Sequence, residues 1–282
     1  MQAMDSPAVG RRRLAAELRR LRSAAGLTIS DVAARLECSA GKISRIETGV
    51  VGAQATDVHA MLDLYGISDP QREALAELVR LARRRAWWQQ YADVVPAESS
   101  RFFGLEDGAA VIEQHAGPLV PGLLQTAAYA RALISIPAAA PPPDVERRIE
   151  LRVRRQQLLD RPHPPRLHVL LDEAALRREV GGPEVLADQL DHLAALGRRD
   201  HVTLQVVPFG AGGYAALGVM FTLFGFADPA DTHVVYLEQL TGNTLLEAGA
   251  DVSRYTAAFA ESAARALDPA HTLQLLRTRA RV

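Results

Sequence analysis

The stretch Leu27-Thr-Ile-Ser-Asp-Val-Ala-Ala-Arg-Leu-Glu-Cys-Ser-Ala-Gly-Lys-Ile-Ser-Arg-Ile-Glu-Thr-Gly49 decides how the chain is read. Thr28 has the chemistry of a helix N-cap, with Asp31 three residues on as a weak capping box, and Val32, Ala33 and Leu36 then face inward. Glu37-Cys38 reads as a turn. Ser39 caps the next helix, in which Ile43 and Ile46 are buried and which Gly49 closes. Two short helices that cross closely need a small residue at their contact, and Ala33 supplies it. Cys38 stands where the turn needs a small apolar side chain. The face opposite Ile43 and Ile46 is left free, as in a helix-turn-helix whose second helix enters the major groove.

On that free face lie Ser39, Ala40, Gly41, Lys42, Ser44 and Arg45. Lys42 and Arg45 suit guanine edges or phosphates, and Ser39 and Ser44 suit phosphate or base-edge hydrogen bonds. Ala40 and Gly41 allow contact with a thymine methyl or close backbone approach, and Gly41 costs the helix about 1 kcal/mol relative to alanine. Thr28 joins the candidate DNA contacts at the start of the preceding helix. Arg11, Arg12 and Arg13 are candidates for a flexible minor-groove arm or a phosphate clamp, against the alternative of a solvated charged face. The stretch resembles the Xre-type, phage-repressor-like helix-turn-helix. That family often has glutamine near the start of its second helix, where this chain has Ile29, so the contact usually made there is not carried over.

Working outward, Arg11–Ala25 has Leu14, Leu18 and Leu21 at helical spacing, ended by Gly26. After the motif, Ala55–Tyr65 reads as a helix burying Val58, Met61, Leu62 and Tyr65, ended by Gly66. From Asp69-Pro70 a further helix with Leu75, Leu78, Val79 and Ala82 runs to Arg83-Arg84-Arg85 and Trp87-Trp88, and reads as a connector. Pro96 to Gly104 is polar and punctuated, and marks a boundary. The expected organisation is a helix-turn-helix domain over 10–68, a helical connector over 69–98 and a second domain over 99–282.

At 282 residues, two domains are the natural expectation. Hydrophobic and charged fractions of 48% and 23% are those of a soluble globular protein. No run reaches the ~18 apolar residues of a membrane span, Met1–Gly10 has no signal-peptide core, and Cys38, the single cysteine, excludes an internal disulfide. A cytoplasmic protein with no membrane partner is expected. The net charge of -1 is uninformative, but its distribution is not: Met1–Gly52 has nine basic and five acidic residues, leaving that segment at +4 and the remainder at -5. A locally basic segment is the electrostatic footprint of a nucleic-acid-binding module.

Beyond the boundary, short β-like runs occur at Ala110–His115, Leu167–Leu171, Val202–Val207, Met220–Phe226 and His233–Leu237. Helical patterns fall at Gln125–Ile134, Val145–Asp160, Asp172–Val180, Pro183–Leu196 and Val252–Leu267, and Pro137–Pro143 reads as a surface loop. An α+β domain with one mixed or antiparallel sheet is expected, so the fold class is multi-domain, an all-α module followed by α+β. Gly210-Ala-Gly-Gly213 lacks a following Lys-Ser/Thr and reads as a hairpin loop rather than a phosphate cradle. Glu113 and His115 alternate to one side of a strand, more as a polar solvent-facing surface than an acid–base pair. His163 and His168 straddle Pro-Pro without a third metal ligand at a familiar spacing. No serine nucleophile elbow is present. No cofactor, metal or catalytic residue is expected, and the chain does not read as an enzyme.

Phe103-Gly-Leu-Glu-Asp-Gly108 and Pro118-Leu-Val-Pro-Gly-Leu-Leu-Gln-Thr-Ala-Ala-Tyr-Ala-Arg-Ala-Leu133, behind the helix-turn-helix, resemble an actinobacterial family of Xre-type regulators that carry a C-terminal domain of unknown function. The resemblance implies an antitoxin-like regulator paired with a small neighbour-encoded partner protein. Bottom-up, Pro121-Gly122 is a turn and Thr126 caps the helix holding Tyr129 and Leu133. The functional expectation is a sequence-specific regulator that binds a double-stranded operator as a homodimer, its second domain serving dimerisation and signal or partner binding. The alternatives are an antitoxin-like protein that sequesters its partner and autoregulates, and a regulator with a small-molecule pocket in the sheet domain.

Overall fold

The structure, a computed structural model, describes residues 6–49, 53–95, 99–136, 144–228 and 233–280. Pro137–Pro143 and the start of the expected boundary, residues 96–98, lie outside them. The chain divides into two compact units, one formed by residues 1–89 and 103–108 and the other by 90–102 and 109–282.

The first unit is helical: α1 (Pro7–Ala24), α2 (Ile29–Arg35), α3 (Ala40–Glu47), α4 (Ala55–Leu64) and α5 (Asp69–Arg83). Leu14, Leu18 and Leu21 of α1, Val32 and Ala33 of α2, Ile43 and Ile46 of α3, and Val58, Met61 and Leu62 of α4 form one core. Leu75, Val79 and Ala82 of α5 are buried in that same core. The helix read as a connector is therefore a fifth helix of this unit: periodicity showed its apolar stripe but not what covers it. Helix α1 starts at Pro7 rather than Arg11, with Pro7 in the first turn, where a missing N–H costs nothing.

Helix α6 (Ser99–Gly108) replaces part of the expected irregular boundary. In the first unit its Gly104 and Gly108 meet the start of α1. A Cβ at either position would lie 2.1 Å from Ala8 Cβ or Val9 Cγ2 respectively, so only glycine fits.

The second unit is built on a six-stranded mixed sheet, β1 (Val111–His115), β2 (Arg166–Asp172), β3 (Val202–Val207), β4 (Phe221–Gly225), β5 (Val234–Gln239) and β6 (Gly242–Leu246), in the order β3-β2-β1-β4-β5-β6. β1, β2 and β3 are parallel, and β4, β5 and β6 add on antiparallel. The parallel pairs need crossovers: α7 (Ala127–Ile134) and α8 (Val145–Gln156) lie between β1 and β2, and α9 (Pro183–Leu196) between β2 and β3. α10 (Gly249–Arg265) and α11 (Pro269–Arg279) end the unit. The sheet centre is largely apolar: Val169, Leu170, Leu171, Val206, Phe224 and Val235 are fully buried, with His115 and Thr222 as buried polar residues on β1 and β4.

The expected helix over Asp172–Val180 is a single tight turn, Glu173–Leu176, with Asp172 accepting from Ala174 N–H at 2.7 Å. Gly210–Gly213 is not a hairpin loop, because β3 and β4 are separated by β2 and β1 in the sheet.

Candidate nucleic-acid interface

The helix-turn-helix frame follows from local chemistry. Thr28 Oγ1 accepts from Asp31 N–H at 3.1 Å while Asp31 Oδ2 accepts from Thr28 N–H at 2.8 Å, a complete capping box. Ser39 Oγ accepts from Lys42 N–H at 3.2 Å and caps α3. The turn between them is closed by Cys38 N–H on Ala33 C=O at 2.9 Å. Glu37 takes a left-handed conformation there, with φ 49°, an arrangement that ordinarily favours glycine. Gly49, with φ 68°, lets the chain leave α3.

Two ion pairs orient α3. Glu47, almost fully buried, accepts from Arg22 Nε at 2.8 Å and 3.0 Å, and Arg22 Nη1 donates to Leu27 C=O at 2.7 Å. Tyr65 packs near this pair, and burial together with the Glu47 charge pushes its phenol up. On the other side, Lys42 Nζ lies 2.7 Å from Asp57 Oδ1 of α4, and the Asp57 carboxylate raises the Lys42 ammonium above its usual value.

The expected reading face is therefore brought together with one change. Ser39, Ala40, Gly41 and Arg45 are exposed and Ser44 is half-buried along one side of α3. Lys42 is turned to Asp57, which leaves Arg45 as the long cation that faces outward from this helix. The space above Gly41 accommodates it: a Cβ on Gly41 would lie 3.6 Å from Arg45 Nη1. Thr28 is exposed, but its hydroxyl is engaged with Asp31.

Arg11, Arg12 and Arg13 do not form a flexible arm. They lie in the second turn of α1 and are half-buried. Arg11 Nη1 reaches Ala82 C=O at 3.4 Å, burial lowers its guanidinium below the ordinary arginine value, and Arg12 and Arg13 are also engaged. Arg19 and Arg35, exposed on α1 and α2, were not singled out by the sequence. The positioning roles of Arg22, Glu47 and Asp57 had no signal in it, because each partner is remote along the chain.

In the second unit several polar side chains are tied to the main chain or to one another by hydrogen bonds. Gln125 Nε2 donates to Val120 C=O at 2.7 Å and its Oε1 accepts from Arg152 at 2.6 Å. Gln189 bridges Leu124 C=O and Thr126 N–H, both at 2.7 Å, and Thr126 caps α7. The Val120–Thr126 string is thus a turn held by buried amides. His115 is buried rather than solvent-facing: its Nδ1 lies 2.7 Å from Val219 C=O and its ring stacks on Phe221. His168 Nε2 pairs with Gln205 Oε1 at 2.8 Å. Among the described residues, no group of three or more His, Cys, Asp or Glu could hold a metal ion, and no helix is long and apolar enough to cross a membrane.

Two family models match the chain. Residues 13–75 match a helix-turn-helix domain, and residues 99–278 match a domain of unknown function, DUF5753. No curated protein and no solved structure matches it.

Proposed function

We propose, for a chain that belongs to the DUF5753 family and carries an amino-terminal helix-turn-helix domain, that it is a non-catalytic, sequence-specific transcription regulator of the Xre type, binding a two-fold-symmetric operator as a homodimer. The helix-turn-helix match points to DNA binding and transcription regulation. The observation that carries the finer reading is α3 itself, anchored by Ile43, Ile46 and the Arg22–Glu47 pair, with Ser39, Ala40, Gly41, Ser44 and Arg45 left facing outward.

That face offers one long cation and several small residues, so each half-site is read by few side chains. Two half-sites about one helical turn apart supply the missing affinity, commonly ~10⁻⁸ M or tighter for a specific complex. The second unit serves dimerisation and response. A gel-shift titration with the chain's own upstream DNA tests the reading: Arg45→Ala weakens binding, and unchanged binding by Lys42→Ala/Arg45→Ala removes α3 from the interface.

One observation favours an antitoxin-like role alongside this. The connection between β3 and β4 exposes Phe209, Leu217, Val219 and Met220, each more than two-fifths accessible. An exposed apolar group of this kind suits a small neighbour-encoded protein partner. Co-purification of a stoichiometric small protein from the native host supports that role; a solitary chain that binds its operator tightly removes it.

A further inference from the structure

Helix α5 packs chiefly along α1 and meets α4 only lightly. Each of the two turns one stripe toward the gap between them. On α4 the stripe is Ala55, Val58, His59 and Leu62, and on α5 it is Arg72, Ala76, Val79, Arg80 and Arg83, both at helical spacing. Ala55 and Ala76 carry only a methyl group where longer side chains would close the gap, and a cleft of about 160 Å³ is left within the helical unit. Val58, Leu62 and Val79 line it as almost fully buried apolar groups. An apolar cavity of roughly 150 Å³ holds a benzene ring. The cleft therefore has room for one ring or one branched chain, and not for the successive anchors of an amphipathic helix.

The polar part of the lining has one sign. His59, Arg80 and Arg83 are exposed and Arg72 is half-buried, and among the described residues no acid lines the cleft. Arg72 Nη1 donates to Asp63 at 2.5 Å and Arg80 to Glu77, so each of these arginines has one carboxylate beside it. Arg72 is fixed further by its Nε, which donates to Ile67 C=O at 2.8 Å. Arg83 forms no ion pair among the described residues. Three guanidinium groups against two carboxylates leave one positive charge beside an apolar cleft. The planar fork of a guanidinium matches a carboxylate and holds it through two parallel hydrogen bonds.

We propose that this cleft binds a small apolar monocarboxylate, a ring or branched chain about the size of benzoate. The apolar body lies between Val58 and Leu62 of α4 and Ala76 and Val79 of α5, and the carboxylate meets Arg83. The site goes beyond the function proposed above. It shares no residue with the exposed face of α3, and it places a ligand in the helical unit rather than in the sheet domain.

The experiment is isothermal titration of the full chain, without DNA, with benzoate, with neutral benzamide of nearly the same shape, and with sulfate at matched ionic strength. Benzoate binds saturably, about ten-fold more tightly than benzamide, and sulfate does not displace it. Arg83→Ala brings benzoate to the affinity of benzamide. Ala76→Leu fills the cleft and abolishes the binding of both. The ring resonances of His59, identified by their loss in His59→Gln, shift with benzoate in the wild type. Thermal unfolding establishes that each variant is folded; should Ala76→Leu not fold, Arg83→Ala and the His59 shift decide. No saturable binding of benzoate, equal affinity for benzoate and benzamide, or displacement by sulfate overturns the proposal. So does benzoate binding that is unchanged in Arg83→Ala or in a folded Ala76→Leu, or that leaves the His59 resonances in place. DNA takes no part in these measurements, so their failure leaves the role of α3 standing.

Discussion

Arg22 on α1 and Glu47 at the end of α3 form a buried ion pair with both carboxylate oxygens within 3.0 Å of Arg22 Nε, and the same guanidinium donates to Leu27 C=O. Three segments that must hold a fixed geometry against DNA are joined through one side chain. Truncating one partner of a buried pair leaves the other charged and unpaired. Glu47→Ala is expected to destabilise the first unit by about 3 kcal/mol, measured by urea unfolding. A loss below 1 kcal/mol, the range of surface pairs, would mean that this pair does not hold α3.

Lys42 and Arg45 should behave differently toward DNA, although both are basic residues on α3. Lys42 is held by Asp57, whereas Arg45 is exposed. Each phosphate contact contributes about one unit to the salt dependence of binding. Arg45→Ala is expected to lower affinity with a loss of base preference or about one unit of salt slope, and Lys42→Ala to do less. Asp57→Asn releases Lys42 and steepens the slope. Fluorescence anisotropy at several salt concentrations reads all three, and an Asp57→Asn slope equal to wild type would show that Lys42 is not held back.

The turn of the motif stores strain at Glu37, whose φ of 49° costs a side-chain-bearing residue roughly 1 kcal/mol. Glu37→Gly is expected to stabilise the first unit by up to about 1 kcal/mol, the relief being partly offset by the entropy glycine loses on folding. A lower melting temperature for the variant contradicts this.

Much of this was legible in the sequence because it is local. Thr28, Asp31, Ser39, Ile43 and Ile46 act within a turn or two of one another, and the apolar runs that became β1 to β5 carry their own periodicity. The pairs Lys42–Asp57 and Arg22–Glu47 join residues 15 and 25 apart, and nothing in spacing reveals them. β6 was missed because Gly242 and Asn243 are poor strand formers and only pairing with β5 makes them a strand. α11 was missed although its signals were present: Asp268 caps it and Pro269 occupies its first turn. α5 was recognised as a helix, but an apolar stripe does not name its partner.

Burial holds the His115 imidazole below its ordinary value, more than offsetting the Val219 carbonyl and the Asp172 charge, and His192 is lowered by burial and by Arg199. As pH falls through about 6.5, the unfolded chain takes up protons that the folded chain refuses. The second unit is therefore expected to hold its full stability above about pH 6.5 and to lose it progressively below. His115→Gln should flatten the slope by up to about 1.4 kcal/mol per pH unit, read from denaturant midpoints between the histidine and carboxylate ranges. A slope equal to wild type would place His115 outside this linkage.

The central claim, that the exposed face of α3 reads DNA sequence, is tested most directly by selecting bound sites from a random-sequence DNA pool with the wild type and with Arg45→Ala. The wild type should enrich one two-fold-symmetric motif, and Arg45→Ala should lose base preference at one symmetry-related position in each half. No enriched motif, or an identical motif bound equally well by Arg45→Ala, would contradict it.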